Sequence, residues 1–379
     1  MGEYSKALSF YEKALGIYQE TLPSNHPDLA TSYSNIGLTY SEMGEYSKAL
    51  SYYEKAFEIY RNTLPSNHPL LATSYNNIGN VHNKLGKHSK ALSFYEKALE
   101  IKQKTLPSDH RDLATSYNNI GSVYDFLGEY SKALSSQEKA LEIKQKTLPS
   151  NHPNLATSYD NIGLVYNHVG EYSKALSYYE KALKIREKTL PSDHPDLAIT
   201  YNNIGSMYDF MGEYSKTLSY YDKALEILKT TLPLNHPDLA NLYNNVGNVH
   251  NKMREYSEAL SFYGKGLEIL KNTLPSNHPY LATSYSNIGS VFDKIGEYRK
   301  ALSLHEKALE IYRNTLPSNH PLLATSYNNS GFGYYNMKDY SKALSYLERA
   351  LDILQSALPV THPHIKNVKQ SIEIVKKKL

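Results

Sequence analysis

PNLATSYDNIGLVYNHVGEYSKALSYYEKALKIREKTLPSDH, Pro153 to His194, is the stretch whose reading decides the fold. Its apolar positions begin Leu155, Tyr159, Ile162, Tyr166 and Val169, in steps of four and three. That spacing keeps them on one face of a helix of about 3.6 residues per turn. Gly170 breaks the pattern and suits the left-handed residue just past a helix end. A second run follows at Tyr172, Ala175, Leu176, Tyr179, Ala182 and Leu183, a stripe wide enough to touch two neighbours. The small residues Gly163, Ala175 and Ala182 predict close antiparallel packing of the two helices. Leu190-Pro191 stops the second helix, because a residue before proline is pushed out of the α region. His194-Pro195 starts the next one, where proline's missing N–H costs nothing.

The stretch recurs along nearly the whole chain. Steps of 42 residues connect Gly37, Gly79, Gly121, Gly163, Gly205, Gly247, Gly289 and Gly331. A fixed period of this size means stacked units, none of which can bury its apolar face alone. The 379 residues are therefore expected to form one continuous array rather than the two or three domains that length alone suggests.

Tyr159, Ile162, Gly163, Tyr166, Gly170, Tyr172, Ala175, Tyr179 and Ala182 form a pattern that resembles the tetratricopeptide signature. Its 42-residue length resembles the variant found in kinesin light chains and nephrocystin-like proteins. The resemblance implies an all-α fold, a right-handed superhelical α-solenoid of antiparallel helix hairpins. Three segments are expected: residues 1–22 as a second helix with no first helix before it, 23–362 as eight hairpins, and 363–379 as a closing cap helix. The opening predicts a fragment of a longer protein or a truncated gene product, with an effector domain upstream. In the cap, Ile365, Val368, Ile372, Val375 and Leu379 form the apolar face, and lysines solvate the rest.

Departures from the repeat cluster late. Arg254 and Lys338 replace the turn glycine, Gly264 and Gly266 are expected to interrupt the sixth second helix, and Ser330 replaces an isoleucine. Arg111 stands where the other first helices begin with proline.

Composition narrows the function. A net charge of +3 is small for this length and argues against nucleic-acid binding. No apolar run is long enough to span a membrane, and the first residues lack the apolar core of a signal peptide. Absence of cysteine removes disulfides, thiol nucleophiles and Cys-based zinc sites, and fits a cytoplasmic protein. The loop histidines, from His26 through His194 to His362, occur once per unit. Helices spaced about 8–10 Å apart cannot bring single imidazoles within the ~2 Å that zinc requires, so they read as helix-start residues. No phosphate loop or paired catalytic groups stand out, and no enzyme activity and no cofactor are expected.

The candidate binding residues lie on the first helices. Asparagine stands two residues before the repeated glycine, in most units ahead of an Ile-Gly step, at Asn35, Asn77, Asn119, Asn161, Asn203, Asn245, Asn287 and Asn329, with Asn76, Asn118, Asn202, Asn244 and Asn328 beside it. An amide both donates and accepts, so it can pair with the main chain of an extended peptide of any sequence. The tetratricopeptide resemblance implies that these residues line a concave groove and face a bound partner. A second reading is inheritance by recent duplication, since IYRNTLPSNHPLLATSYNN occurs at both 59–77 and 311–329. Further along the same helices, Phe126 and Phe210 are expected to anchor an apolar side chain, and Lys84, Lys252 and Lys294 an acidic one. Thr31, Thr73, Thr115, Thr157, Ile199 and Asn241 occupy the places of the basic clamp of chaperone-binding relatives, which is missing.

The sequence thus predicts a scaffold whose partners are proteins or peptides. The alternatives are a kinesin light chain-like motor-cargo adaptor, or the targeting array of an enzyme with its catalytic domain upstream.

Overall fold

The computed structural model describes residues 2–359 and 362–379. Of the segments expected above, Met1 and residues 360–361 lie outside the described residues. The chain divides into two compact units, Met1–Leu190 and Pro191–Leu379. Each is built from helices alone among its described residues, as antiparallel hairpins stacked in a solenoid.

The first unit holds α1 (Gly2–Thr21), α2 (Pro27–Glu42), α3 (Tyr46–Thr63), α4 (Pro69–Lys84) and α5 (His88–Thr105). It continues with α6 (Arg111–Phe126), α7 (Tyr130–Thr147), α8 (Pro153–Val169) and α9 (Tyr172–Thr189). The second holds α10 (Pro195–Phe210), α11 (Tyr214–Thr231), α12 (Pro237–Lys252), α13 (Tyr256–Thr273) and α14 (Pro279–Ile295). It ends with α15 (Tyr298–Thr315), α16 (Pro321–Asn336), α17 (Tyr340–Ala357) and α18 (Pro363–Lys376). From α2 onward, even-numbered helices are the first of each hairpin and odd-numbered helices the second, with α18 alone at the end.

Local chemistry sets each boundary. The leucine of each Leu-Pro step is extended, as at Leu106 (φ −119°, ψ 151°), which ends the second helix. His26, His68, His110, His152, His194, His236, His278, His320 and His362 are all N-caps whose Nδ1 accepts the N–H two residues on. The turn inside a hairpin is left-handed: Gly170 has φ +83°, and Glu171 N–H reaches back to the Tyr166 carbonyl at 2.9 Å. Arg254 and Lys338 adopt the same conformation at φ 65° and 63° without glycine's freedom.

Packing inside a hairpin follows from the central glycine. A Cβ on Gly163 would lie 2.9 Å from the Tyr179 ring, and one on Gly205 would lie 2.6 Å from the Tyr221 ring. The two backbones approach until that ring fills the space, and Ala175 and Ala182 complete the seam with no exposed surface. Above it, the second-helix lysines Lys55, Lys97 and Lys181 of the Glu-Lys step each cover an aromatic pair. Lys181 Nζ lies 4.6 Å from the Tyr178 ring centroid and 5.8 Å from that of Tyr159.

Four expectations need correction. Val169 is exposed, because the first helix turns its face past Val165, which is buried. Leu379 lies beyond the end of α18 and is exposed, whereas Ile365, Val368, Ile372 and Val375 are buried as the cap predicts. Gly264 and Gly266 do not interrupt α13, which is continuous from Tyr256 to Thr273. Gly266 has a packing role: a Cβ there would meet the Ala240 carbonyl at 3.0 Å and Asn244 Oδ1 at 3.2 Å.

Candidate functional site

All thirteen asparagines are half-buried on their first helices. Six of them bond in three pairs between consecutive first helices. Asn119 Nδ2 donates to Asn76 Oδ1 at 3.3 Å and Asn161 Nδ2 to Asn118 Oδ1 at 2.7 Å in the first unit. In the second, Asn245 Nδ2 donates to Asn202 Oδ1 at 3.1 Å. Each bond joins the asparagine two residues before the repeated glycine to the one beside it in the preceding repeat. It uses one donor and one acceptor of two amides that together offer four of each. Asn244 does not join: its Oδ1 is buried without a hydrogen-bond partner among the described residues, against the space that Gly266 leaves.

A second line of bonds runs one turn further along, and it revises the expected pockets. Lys252 Nζ bonds Asp209 Oδ2 at 2.7 Å, and Lys294 Nζ donates to Asn251 Oδ1 at 2.9 Å. Both lysines are engaged between repeats rather than held ready for an acidic ligand. His168 Nδ1 meets Asp125 Oδ1 at 2.8 Å in the same register. Phe126 is 68% exposed but stacks on His88, with ring centroids 5.0 Å apart. Phe210 is 53% exposed, and Lys84 is exposed at the end of α4.

Two clefts open on the asparagine-bearing faces of the second unit. One of about 270 Å³ has Ile199, Leu228 and Leu242 against Asn202, Asn241 and Asn245. The other, of about 370 Å³, lies between α16 and α18, with Phe332, Leu354 and Val368 against Asn328, His364 and Asn367. Both combine an apolar patch with amides, an arrangement suited to a side chain and its adjoining main chain. Ile199, Asn241 and Phe332 were not among the expected site residues. Their signal was an unlike residue at a repeated position, such as Ile199 where six units have threonine.

The profile of the tetratricopeptide repeat matches residues 1–62, 70–146, 112–188, 154–230, 238–314 and 296–356. The chain belongs to that family. No curated protein matches it. Among solved structures, it is similar to a Podosopora anserina kinesin light chain-type protein with nearly identical TPR-like repeats. The two are 25% identical with a TM-score of 0.50, covering 55% of this chain and 99% of that one. BtubC from P. vanneervenii is 24% identical with a TM-score of 0.51, over 60% of this chain and 89% of that one. The apo quorum sensor NprR from B. thuringiensis is 19% identical with a TM-score of 0.69, over 93% and 97%. The last two likenesses show the fold alone. Tetratricopeptide arrays are protein-interaction scaffolds, typically without catalytic activity, and this chain is such an array. Among the described residues, no helix is long and apolar enough to cross a membrane.

Proposed function

We propose that the asparagine faces of the first helices bind extended segments of partner proteins. The observation that supports this reading is the three Asn-to-Asn bonds, each of which ties amides of consecutive first helices while using only one donor and one acceptor of the pair. First helices about 8–10 Å apart present one amide pair for roughly every three residues of a strand rising ~3.3 Å per residue. Such a ladder pairs with main chain and is indifferent to sequence. Preference comes from the clefts beside Ile199 and Phe332, which accept apolar side chains.

The test is a peptide-display screen against the whole chain, followed by fluorescence anisotropy of the selected peptides. Replacing Asn118 and Asn161, or Asn202 and Asn245, by alanine is expected to weaken binding at least about ten-fold for every peptide, as lost main-chain hydrogen bonds require. Far-UV circular dichroism should be unchanged. Equal affinity in both double variants would remove the proposal.

A second reading, cargo adaptor of the kinesin light chain kind, is favoured by the likeness to the Podosopora anserina repeats. It requires a heptad coiled coil elsewhere in the gene, and the flanking coding sequence decides it.

A further inference from the structure

Three departures from the repeat meet in one place. A cleft of about 240 Å³ lies where α6 and α8 begin and α7 ends, lined by Arg111, Thr115, Lys144, Thr147 and His152 among others. Arg111 is the residue that replaces proline at a first-helix start. Lys144 is one of three cations at the same position of successive second helices, with Lys102 and Arg186. The other two have a carboxylate. Burial lowers the Lys102 ammonium, but the charge of the Asp112 carboxylate partly offsets that, and Arg186 meets Asp160 Oδ2 at 2.5 Å. Lys144 has none, because the residue one repeat after Asp112 is Asn154.

Lys144 Nζ donates to Ser158 Oγ at 2.7 Å. Burial pushes its ammonium down, and no acid stands close enough to offset that. The surrounding carboxylates are turned elsewhere. Glu142 is held by Lys146 at 2.7 Å, and Asp112 Oδ2 sits 3.9 Å from His110 Nδ1. Arg111 makes no ion pair among the described residues. Two positive groups therefore line one cleft with no counter-charge, and a partly desolvated cation gains most from an anion supplied by a ligand.

We propose that this cleft is an oxyanion site, with the Arg111 guanidinium and the Lys144 ammonium as its ligands; the Thr115 and Thr147 hydroxyls in its wall already donate to the Arg111 and Ile143 carbonyls. The planar guanidinium suits the paired oxygens of a carboxylate or phosphate, and the ammonium supplies a point charge. The cleft has room for the group and part of its carrier. That the carrier is a side chain of a bound segment, acidic or phosphorylated, rests on the peptide-binding proposal above. The site itself does not.

The experiment titrates inorganic phosphate into the whole chain by isothermal calorimetry, against sodium chloride of equal ionic strength. Phosphate is expected to bind at one millimolar site. Arg111→Pro and Asn154→Asp each install the residue that other repeats carry at that position, so the fold is preserved. Each should weaken phosphate at least about ten-fold, the first by removing a ligand and the second by supplying the missing counter-charge. Wild-type affinity in both variants, or no binding beyond chloride, overturns the site. N-acetyl-aspartate amide and N-acetyl-phosphoserine amide separate the sources: the one that displaces phosphate names the group, and displacement by neither overturns the side-chain carrier. Phosphate binding that persists in chains whose asparagine variants show no peptide defect keeps the anion site and removes only the peptide reading.

Discussion

Gly205→Ala and Gly264→Ala are the same chemical change in two helices of one unit, and they should move stability in opposite directions. A Cβ on Gly205 would lie 2.6 Å from Tyr221 Cε1 and 2.7 Å from Cδ1. Carbon contacts are optimal near 3.5–4.0 Å, so the overlap is about 1 Å. The ring has little freedom to retreat, being 3% exposed with its hydroxyl 3.1 Å from Ser206 Oγ. Overpacking of this kind costs about 2–3 kcal/mol, and alanine's better helix propensity returns about 1, leaving a net loss of about 1–2. A Cβ on Gly264 meets nothing within 4 Å, so the same propensity should raise stability by about 1 kcal/mol. Urea unfolding followed by far-UV circular dichroism should separate the two variants by about 2–3 kcal/mol, with wild type between them. Adding Tyr221→Leu to Gly205→Ala should cost less than the two changes summed, since leucine already faces glycine at Leu347 and Gly331. A Gly205→Ala chain as stable as wild type would refute the account of hairpin packing.

Three further outcomes are expected. His278→Ala should cost about 1 kcal/mol by freeing the Tyr280 N–H, and His278→Asp should retain most of it; faster amide exchange at Tyr280 in the alanine variant is the check. Arg254→Gly should raise the melting temperature, relieving about 1 kcal/mol of strain at φ 65°, and an unchanged melt would show that none is stored there. Burial, then Lys87 and Lys90, holds the His82 imidazole below its ordinary 6.5. The unfolded chain therefore takes up a proton that the folded one resists. Stability should be full above about pH 6.5 and fall as acid carries the pH down through the lowered folded value. His82→Phe, which keeps an aromatic ring over Phe94, should lessen that fall in urea midpoints measured at pH 7 and 5.

Helix positions were legible because they depend on local residues. Leu-Pro steps, histidine-proline starts and turn glycines act within a few residues of themselves, and each stands where the repeat predicts. The proposed binding surface was only half legible. The asparagine row could be read, but its bonds join residues 43 apart, as in Asn161 to Asn118, and a within-repeat pattern does not display them. The bonds of the lysines were hidden for the same reason: the partner of Lys252 is Asp209 in the preceding repeat. Val169 and Leu379 were misplaced because helical spacing assigns a face without knowing where the neighbouring helix stops.

The contacts of each hairpin are to the helices before and after it in its unit, and the positions that make them recur every 42 residues. Unequal exchange between copies as alike as residues 59–77 and 311–329 would add or remove whole repeats in frame. The new junction would reproduce the old seam, glycine against ring. Natural populations of this gene can therefore vary in array length without passing through an unfolded protein, and the reach of the proposed binding surface becomes a quantity that recombination adjusts.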